Sequence, residues 1–572
     1  MPHVRRTEYP KVNSSFVLEY VEVIHRHHKR TPYAANTFPV EAYPWYCDNE
    51  ALFYYGAPLP THGTNHSANT YWSVYTSSSN PLVPRGFEGT CQFPQITRGG
   101  LDDSWQHGHD LYEVYHHLLR FLPEKYDPNL VSFRVTNNVI TSQVASMVTS
   151  GMFGGGQAQQ NLPLHIQPAS IDSLEPAYPC LAADRNFSAY GVGSSDPGWT
   201  SHLKAASDII ANLDTICGVS PTDSGFHVSF DHYFDNLSAR LCHAKPLPCN
   251  ASNPSLCVTQ AMADEVFRLG QYEYSYLYRD AGARTLEYSA GRYGIWIAEL
   301  AQNLRHAMHA TDPANTGDRT NSGMRYRHNI AHDGSVSYIL SILQIDKMMW
   351  PGMGSELVFE LYKRKVDQQY YIRVLWGGQV LKSSNPTLGV LDMLQVEILL
   401  AYFDGLDSSY HQHRSKYSIL LSHDNPVEGG SWTPFADTRG AYSDLPQAKK
   451  DEIENLVVEH DLWHSRKLAA PAVFGNPLPH ELAAKPPAYH RLVQTAPDGR
   501  KTLYLAVHAK RISKYVFGME WLSGGDMVWW DNRQSMHRAN PYTATMTARD
   551  VRRSTIIDDG PLALGVSAAE LD

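Results

Sequence analysis

Seven consecutive residues, Arg26-His27-His28-Lys29-Arg30-Thr31-Pro32, follow the apolar run FVLEYVEVI (16–24). Two arginines flanking a histidine can grip an anion with planar guanidinium forks while an imidazole between them acts as nucleophile. A solvated basic loop has the same composition, so the heptad is read together with two further elements. His332-Asp333 stands between NIA and the apolar run GSVSYILSILQI (334–345), at a strand end and helix N-terminus where negative charge is favoured. Arg134 lies in FRVTNNVITSQVAS (133–146), another strand-to-helix transition. Ligand sites in parallel α/β sheets sit outside the carboxyl ends of strands, where all three elements fall.

In these residues the chain resembles the histidine acid phosphatases, branch two of the histidine phosphatase superfamily. That family carries an R-H-G-x-R-x-P heptad, a further arginine in an R-x-T segment and a late H-D pair, in the order found here. The resemblance covers about 1–405, including CQFPQITRGGLDDSWQHG (91–108) and WPGMGSELVFELYKRKVDQQYYIRVLWGG (350–378). It implies that His27 attacks phosphorus and forms a phosphohistidine. Arg26, Arg30, Arg134 and His332 would hold the phosphoryl oxygens, and Asp333 would protonate the leaving alcohol, without a cofactor. The implied substrate is a small phosphate ester. One departure is His28, which replaces the heptad's glycine. It is a strain if that position needs positive φ or close backbone approach; alternatively it lines the pocket. Another is the start, PHVRRTEYP, where the family usually has a signal peptide and an early cysteine.

The elements that must position these groups alternate between strand and helix. Helical patterning runs over 109–122, 265–282 and 334–345. The expected fold is α/β, a mostly parallel sheet with flanking helices and a helical insertion, phosphoglycerate-mutase-like. From about 415 the texture changes: YSILLSH (417–423), KTLYLAVHA (501–509) and GDMVWWDN (525–532) predict antiparallel strands. A helix is predicted at about 446–466, with Ile453, Leu456, Val457 and His460 along one face. The boundary is placed near 405, giving domains 1–405 and 406–572.

The second domain resembles the taurine and 2,4-dichlorophenoxyacetate dioxygenases, which use iron(II) and 2-oxoglutarate. The resemblance rests on KYSILLSHDNPVEGG (416–430), FADTRGAY (435–442), HSRKLAAPAVFG (464–475), GDMVWWDNRQSMHRANPY (525–542) and RDVRRSTI (549–556). It implies His537 and Asp407 as iron ligands, Thr433 and Arg549 as 2-oxoglutarate contacts, and Arg553 near the substrate. The family's H-x-D pair is incomplete, because Gly405 stands two residues before Asp407 and none of the 28 histidines is followed two positions later by an acid. A glycine offers iron no donor, so the iron site is expected to be vestigial, unless His411 or His413 substitutes. The missing upstream half would leave an incomplete double-stranded β-helix with unpaired edges. The chain thus reads as a phosphatase-like part joined to a dioxygenase-like fragment, as in a fused or merged gene. A non-catalytic phosphate-binding protein is the remaining alternative.

Composition agrees with a folded protein. Of 572 residues 42% are hydrophobic and 19% charged, and the net charge of −10 disfavours a general nucleic-acid or anionic-membrane binder. No apolar run is long enough for a membrane span, and no signal peptide is expected at the N-terminus. All seven cysteines precede residue 260, as do sequons at Asn13, Asn65, Asn186, Asn236 and Asn250, which fits a secreted, disulfide-bonded ancestor. The spacing of Cys249 and Cys257 admits a short-loop disulfide, and the odd count leaves a thiol over. Three other patterns have plainer readings. His460-Asp-Leu-Trp-His464 imitates a zinc-protease helix, but its face continues an apolar stripe. His107-Gly-His109 and His116-His117 read as surface or packing residues. Met152–Gly156 reads as a flexible turn. Localisation and oligomeric state are left open.

Overall fold

The computed structural model describes residues 3–39, 44–47, 50, 53–54, 70–75, 77, 79–80, 89–154, 162–309, 323–404, 415–424, 433–460, 488–495, 499–504, 516–519, 527–531, 535–537 and 550–557. The chain divides into two compact units, Met1–Phe403 and Asp404–Asp572.

The first unit is built on strand β1 (Phe16–Arg26), whose last seven residues are all buried. A strand covered on both faces reads as a nearly continuous apolar run, which is why FVLEYVEVI is legible as one. A small pair, β2 (Phe53–Tyr54) and β3 (Thr70–Tyr71), stands apart from the main sheet. The main sheet adds β4 (Val131–Val135), β5 (Leu164–His165), β6 (Tyr326–Ala331), β7 (Glu356–Arg364), β8 (Tyr370–Trp376), β9 (Gln379–Val380) and β10 (Leu394–Gln395). Its order is β10-β8-β7-β1-β6-β4-β5, with β9 on β8. Pairs β1–β6, β6–β4 and β4–β5 are parallel. Pairs β1–β7, β7–β8, β8–β9 and β8–β10 are antiparallel. The sheet is therefore mixed rather than mostly parallel: β7 and β8 are separated by only a short turn, and a tight connection can join only antiparallel strands.

Side chains alternate across β1. Tyr20 and Ile24 join a core with Trp296 and Leu300 of α9 (Ala283–His309) and with Val336 and Leu340 of α10 (Asp333–Ile342). Val21 and Val23 join the opposite core with Leu111 of α1 (Arg98–Tyr112) and Val144 of α2 (Val139–Phe153). The result is a sheet between two helical layers. Helix α1 begins at Thr97, whose hydroxyl accepts the Gly100 N–H, and runs into a π-helical stretch at Glu113–Leu118. Glycine is needed at Gly100, where a Cβ would lie 1.9 Å from the Lys29 carbonyl oxygen. That close approach fixes α1 against the heptad.

The helical insertion comprises α3 (Leu181–Tyr190), α4 (Pro197–Ala205), α5 (Ser207–Cys217), α6 (Ser224–His227), α7 (Asp231–Cys242) and α8 (Gln260–Ser275). Phe38, Leu213, Phe230, Tyr233 and Leu237 form a core of its own. Disulfides join Cys47 to Cys91 and Cys249 to Cys257, leaving Cys180, Cys217 and Cys242 as thiols. Among the described residues no helix is long and apolar enough to cross a membrane.

The described part of the second unit is antiparallel. Strand β11 (Ser415–Asp424) lies between β18 (Met527–Asp531) and β20 (Asp550–Ile557), and β12 (Thr433–Asp437) between β17 (Val516–Met519) and β19 (Ser535–His537). The helix predicted at 446–466 is a correction. The helix there spans only Gln447–Ile453, and β13 (Val457–His460) pairs with β14 (Ala488–Arg491), as β15 (Val493–Thr495) does with β16 (Lys501–Leu503). The β-branched Val457–Val458 pair suits a strand once a partner is available, so His460 is not on a helix and the zinc-protease pattern dissolves. His464 lies outside the described residues.

Candidate functional site

Strands β1 and β6 run parallel with His25 opposite Ile330 and Arg26 opposite Ala331, so the heptad and His332-Asp333 emerge side by side from the same sheet edge. The His27 N–H donates to the Ala331 carbonyl at 2.9 Å, and the Gly354 N–H donates to the His27 carbonyl at 3.1 Å. The nucleophile candidate is thus fixed from two sides by backbone alone.

The His27 ring nitrogen Nδ1 lies 3.0 Å from the His28 carbonyl oxygen. A carbonyl only accepts, so Nδ1 carries the hydrogen and Nε2 presents a bare lone pair. Burial holds the His27 pKa well below the usual histidine range, and the charges of Arg30, Arg26 and His332 push the same way. Its ring meets that of His332 edge-on at 5.3 Å. His332 in turn contacts the Thr136 hydroxyl at 3.0 Å and the Glu175 carboxylate at 3.3 Å.

Both arginines are buried and only partly satisfied. Arg26 donates to the Pro351 carbonyl at 2.7 Å and pairs with Asp333 at 3.1 Å. Arg30 pairs with Asp235 of α7 at 3.0 Å and lies 4.1 Å over the Tyr33 ring. Among the described residues the Nε–H of each lacks a hydrogen-bond acceptor. Buried donors left unpaired are costly, and an anion is the kind of acceptor that satisfies them.

Asp333 accepts the Gly334 N–H at 2.9 Å and the Trp350 indole N–H at 2.8 Å. Burial alone would raise its pKa. The Arg26 guanidinium, the indole, Arg30 and His332 together outweigh burial and hold it below the ordinary carboxylate value. Trp350 is itself clamped between Phe234 and Tyr274, each ring 3.9 Å away. Asp231, at the start of α7, is the opposite case. Burial, Asp235 and Asp333 push its pKa up to about 7 against Arg30 and Arg26.

Two residues of the sequence reading are engaged by other partners. The Arg134 guanidinium donates to Glu299 at 2.8 Å, Asp172 at 3.2 Å and Ser173 at 2.9 Å, and also to Gln167. His28 neither lines the pocket nor adopts positive φ. Its ring is fully buried and turned toward α1, where it meets His107 and Ser104. Asp235, Asp231, Glu175, Tyr274 and Trp350 belong to no spacing recognisable in the sequence, whereas Thr136 is the threonine of the R-x-T segment. Lys29, within the heptad, is drawn off to Asp103 at 3.0 Å.

In the second unit, His537 pairs across β12 with Phe435, two residues from Thr433, and Arg553 pairs with Leu420 on the other sheet. Asp407, Arg549, His411 and His413 lie outside the described residues. The donor set does not fit an iron(II) site of the two-histidine, one-carboxylate kind, because the position two before Asp407 is Gly405.

Comparison with known proteins bears on both units. Residues 397–520 match the model of the taurine catabolism dioxygenase TauD, TfdA family. Over 173 residues the chain is 34% identical to an alpha-ketoglutarate-dependent 2,4-dichlorophenoxyacetate dioxygenase of Burkholderia sp. (strain RASC), covering 26% of this chain and 56% of that protein. The chain therefore spans little more than half the length of that relative. Over 341 residues it is 23% identical to the lysophosphatidic acid phosphatase type 6 of Mus musculus, covering 59% of this chain and 72% of that protein. Among solved structures it is similar to a Hafnia alvei phytase in complex with myo-inositol hexakis sulphate. That match has 13% identity and a TM-score of 0.44, and covers 69% of this chain and 98% of that one. The phosphatase likeness and the dioxygenase likeness read from the sequence both have counterparts among these relatives, the second only as a fragment.

Proposed function

We propose that the first unit hydrolyses phosphate monoesters through a phosphohistidine on His27. The observation that carries this reading is the His27 tautomer. Its Nδ1–H is committed to the His28 carbonyl, so Nε2 keeps a bare lone pair under the influence of two arginines whose Nε–H groups have no acceptor among the described residues. Nε2 attacks phosphorus, the N–P bond forms and the P–O bond to the alcohol breaks. Arg26, Arg30 and His332 stabilise charge on the phosphoryl oxygens. Arg134, held by Glu299 and Asp172, takes part only after leaving those partners.

Asp333 donates the proton that the departing alkoxide needs. In the free protein it is ionised, so its proton must arrive with the substrate. A phosphate monoester, whose second pKa is about 6, carries one below neutrality. A phosphoryl group drawing on Arg26 also removes the charge that keeps Asp333 deprotonated. Water then attacks the phosphohistidine, with Asp333 as base, returning His27 and releasing phosphate.

The test is release of p-nitrophenol from p-nitrophenyl phosphate between pH 4 and 7, with EDTA present and His27→Ala alongside. Activity that withstands the chelator and is lost in the variant supports the reading. A folded chain that traps no acid-labile phosphate on His27 from radiolabelled substrate would instead be a phosphate binder. The mouse relative's name makes lysophosphatidic acid a sensible second substrate to assay.

Two of the implied iron ligands remain in the sequence, and the third position offers no donor.

A further inference from the structure

Behind the site, on the far side of the heptad, three histidines converge. His25, the penultimate residue of β1, lies on the face occupied by Val23, His28 belongs to the heptad, and His107 projects from α1. One ring nitrogen from each lies within 4.8 Å of the other two, and all three side chains are fully buried.

The hydrogens on these rings can be assigned. His25 Nδ1 lies 2.8 Å from the Arg26 carbonyl oxygen, which only accepts, so Nδ1 is protonated and Nε2 is bare. Among the described residues His25 Nε2 has no hydrogen-bond partner despite complete burial. His107 Nε2 donates to the Glu356 carboxylate at 2.8 Å, leaving Nδ1 bare. That bare Nδ1 faces His28 Nε2 at 3.0 Å. His28 Nδ1 is 3.0 Å from the Ser104 hydroxyl, whose own proton points to the Gly100 carbonyl at 2.7 Å. His28 Nδ1 therefore donates to Ser104, and His28 Nε2 is the third bare nitrogen.

Two bare nitrogens at 3.0 Å repel unless something positive lies between them. Turning the Ser104 proton toward His28 would convert that contact into an ordinary hydrogen bond, but His25 Nε2 would still have no partner. A cation accounts for all three nitrogens at once. Each imidazole is also held on its other nitrogen by a carbonyl, a hydroxyl or a carboxylate, the usual support of metal-binding histidines. Neutral nitrogen donors with three protein ligands suit zinc(II), and Glu356 offsets part of its charge.

We propose that His25, His28 and His107 bind a zinc(II) ion that ties the heptad to α1. The site is separate from the phosphoryl-transfer chemistry and does not depend on it. His28 links the two, because its ring holds the ion while its carbonyl orients His27. Glycine in place of His28, as in the resembling family, would provide no such anchor.

The experiment uses the full chain, stripped of metal and titrated with zinc(II) against a chromophoric chelator. X-ray absorption is then recorded on the wild-type zinc complex. One equivalent retained through dialysis, with three imidazoles at about 2.0–2.1 Å, is expected. His107→Gln and His25→Gln should each lower affinity by about 100-fold, and Ser104→Ala by about 10-fold. His165→Ala, at an exposed histidine, should leave uptake at one equivalent. No uptake by the wild type, fewer than three imidazole scatterers, or unchanged binding in both folded histidine variants would overturn the proposal. Should a variant fail to fold, the wild-type absorption spectrum alone decides. Phosphatase activity is not a readout here, so failure of the zinc site and failure of the phosphatase reading remain distinct.

Discussion

The Asp333 carboxylate lies 3.1 Å from the Arg26 guanidinium while accepting the Trp350 indole N–H at 2.8 Å. The pair places an acid candidate and an anion-binding cation in direct competition with the phosphoryl group. Asp333→Asn should lower kcat/KM, which reports only the phosphorylation half-reaction, for an alkyl phosphate by about 10²–10⁴-fold, the usual range for general acid catalysis. For p-nitrophenyl phosphate, whose leaving group needs no proton, the loss should be much smaller. Steady-state kinetics on both substrates checks this, and equal losses would remove Asp333 from proton transfer.

The acid side of the pH profile follows from His27. Its pKa is depressed by burial first and then by Arg30, Arg26 and His332, so the neutral, nucleophilic form persists well below pH 6.5. Protonation of the free enzyme's nucleophile should therefore not reduce kcat/KM on going from pH 7 to pH 5.5. A fall across that interval, moved by Arg30→Gln, would mean that His27 titrates normally.

On the alkaline side the group to watch is Asp231, pushed up to about 7. A raised carboxyl pKa means the neutral acid below that value and an added negative charge above it, close to Arg30 and Arg26. KM for a phosphate dianion should rise through pH 7 in the wild type and less steeply in Asp231→Asn. Parallel KM profiles in the two proteins would contradict this.

How much of the site was legible depends on contiguity. The heptad and His332-Asp333 can be read because neighbouring residues on parallel strands β1 and β6 reach one sheet edge together. Asp235 and Asp231 come from an inserted helix, and Trp350 from a loop whose position depends on stacking with Phe234 and Tyr274. Nothing in local spacing encodes those approaches. Arg134 and His28 were identified by position along the chain, but the direction of each side chain is set by partners far away, Glu299 for one and His107 for the other. In the second unit, the stripe Ile453, Leu456, Val457 satisfies helical periodicity. The strand partner at Ala488–Arg491 overrides it from 28 or more residues downstream of His460.

The dioxygenase likeness gives its own test. With Gly405 in place of a histidine, the full chain supplied with iron(II), ascorbate and 2-oxoglutarate should release no succinate above background. Catalytic succinate formation, abolished by His537→Ala, would show that another residue completes the donor set.

Stability of the first unit should depend on a pair that has no part in the site. Arg373 of β8 and Glu360 of β7 are fully buried and 2.7 Å apart, and Glu360 also accepts the hydroxyls of Tyr9 and Tyr115 at 2.7 Å. Removing one member strands the other charge in the core, which typically costs about 3–5 kcal/mol. Replacing both with residues of similar volume removes the stranded charge along with the pair. Arg373→Met should therefore lower the urea midpoint of the full chain far more than Arg373→Met combined with Glu360→Gln. Tyr9→Phe, which deletes one of several donors to Glu360, should cost only about 1 kcal/mol. Denaturant unfolding followed by tryptophan fluorescence separates the three. A double variant less stable than Arg373→Met would mean that the ion pair stabilises the sheet beyond its own desolvation.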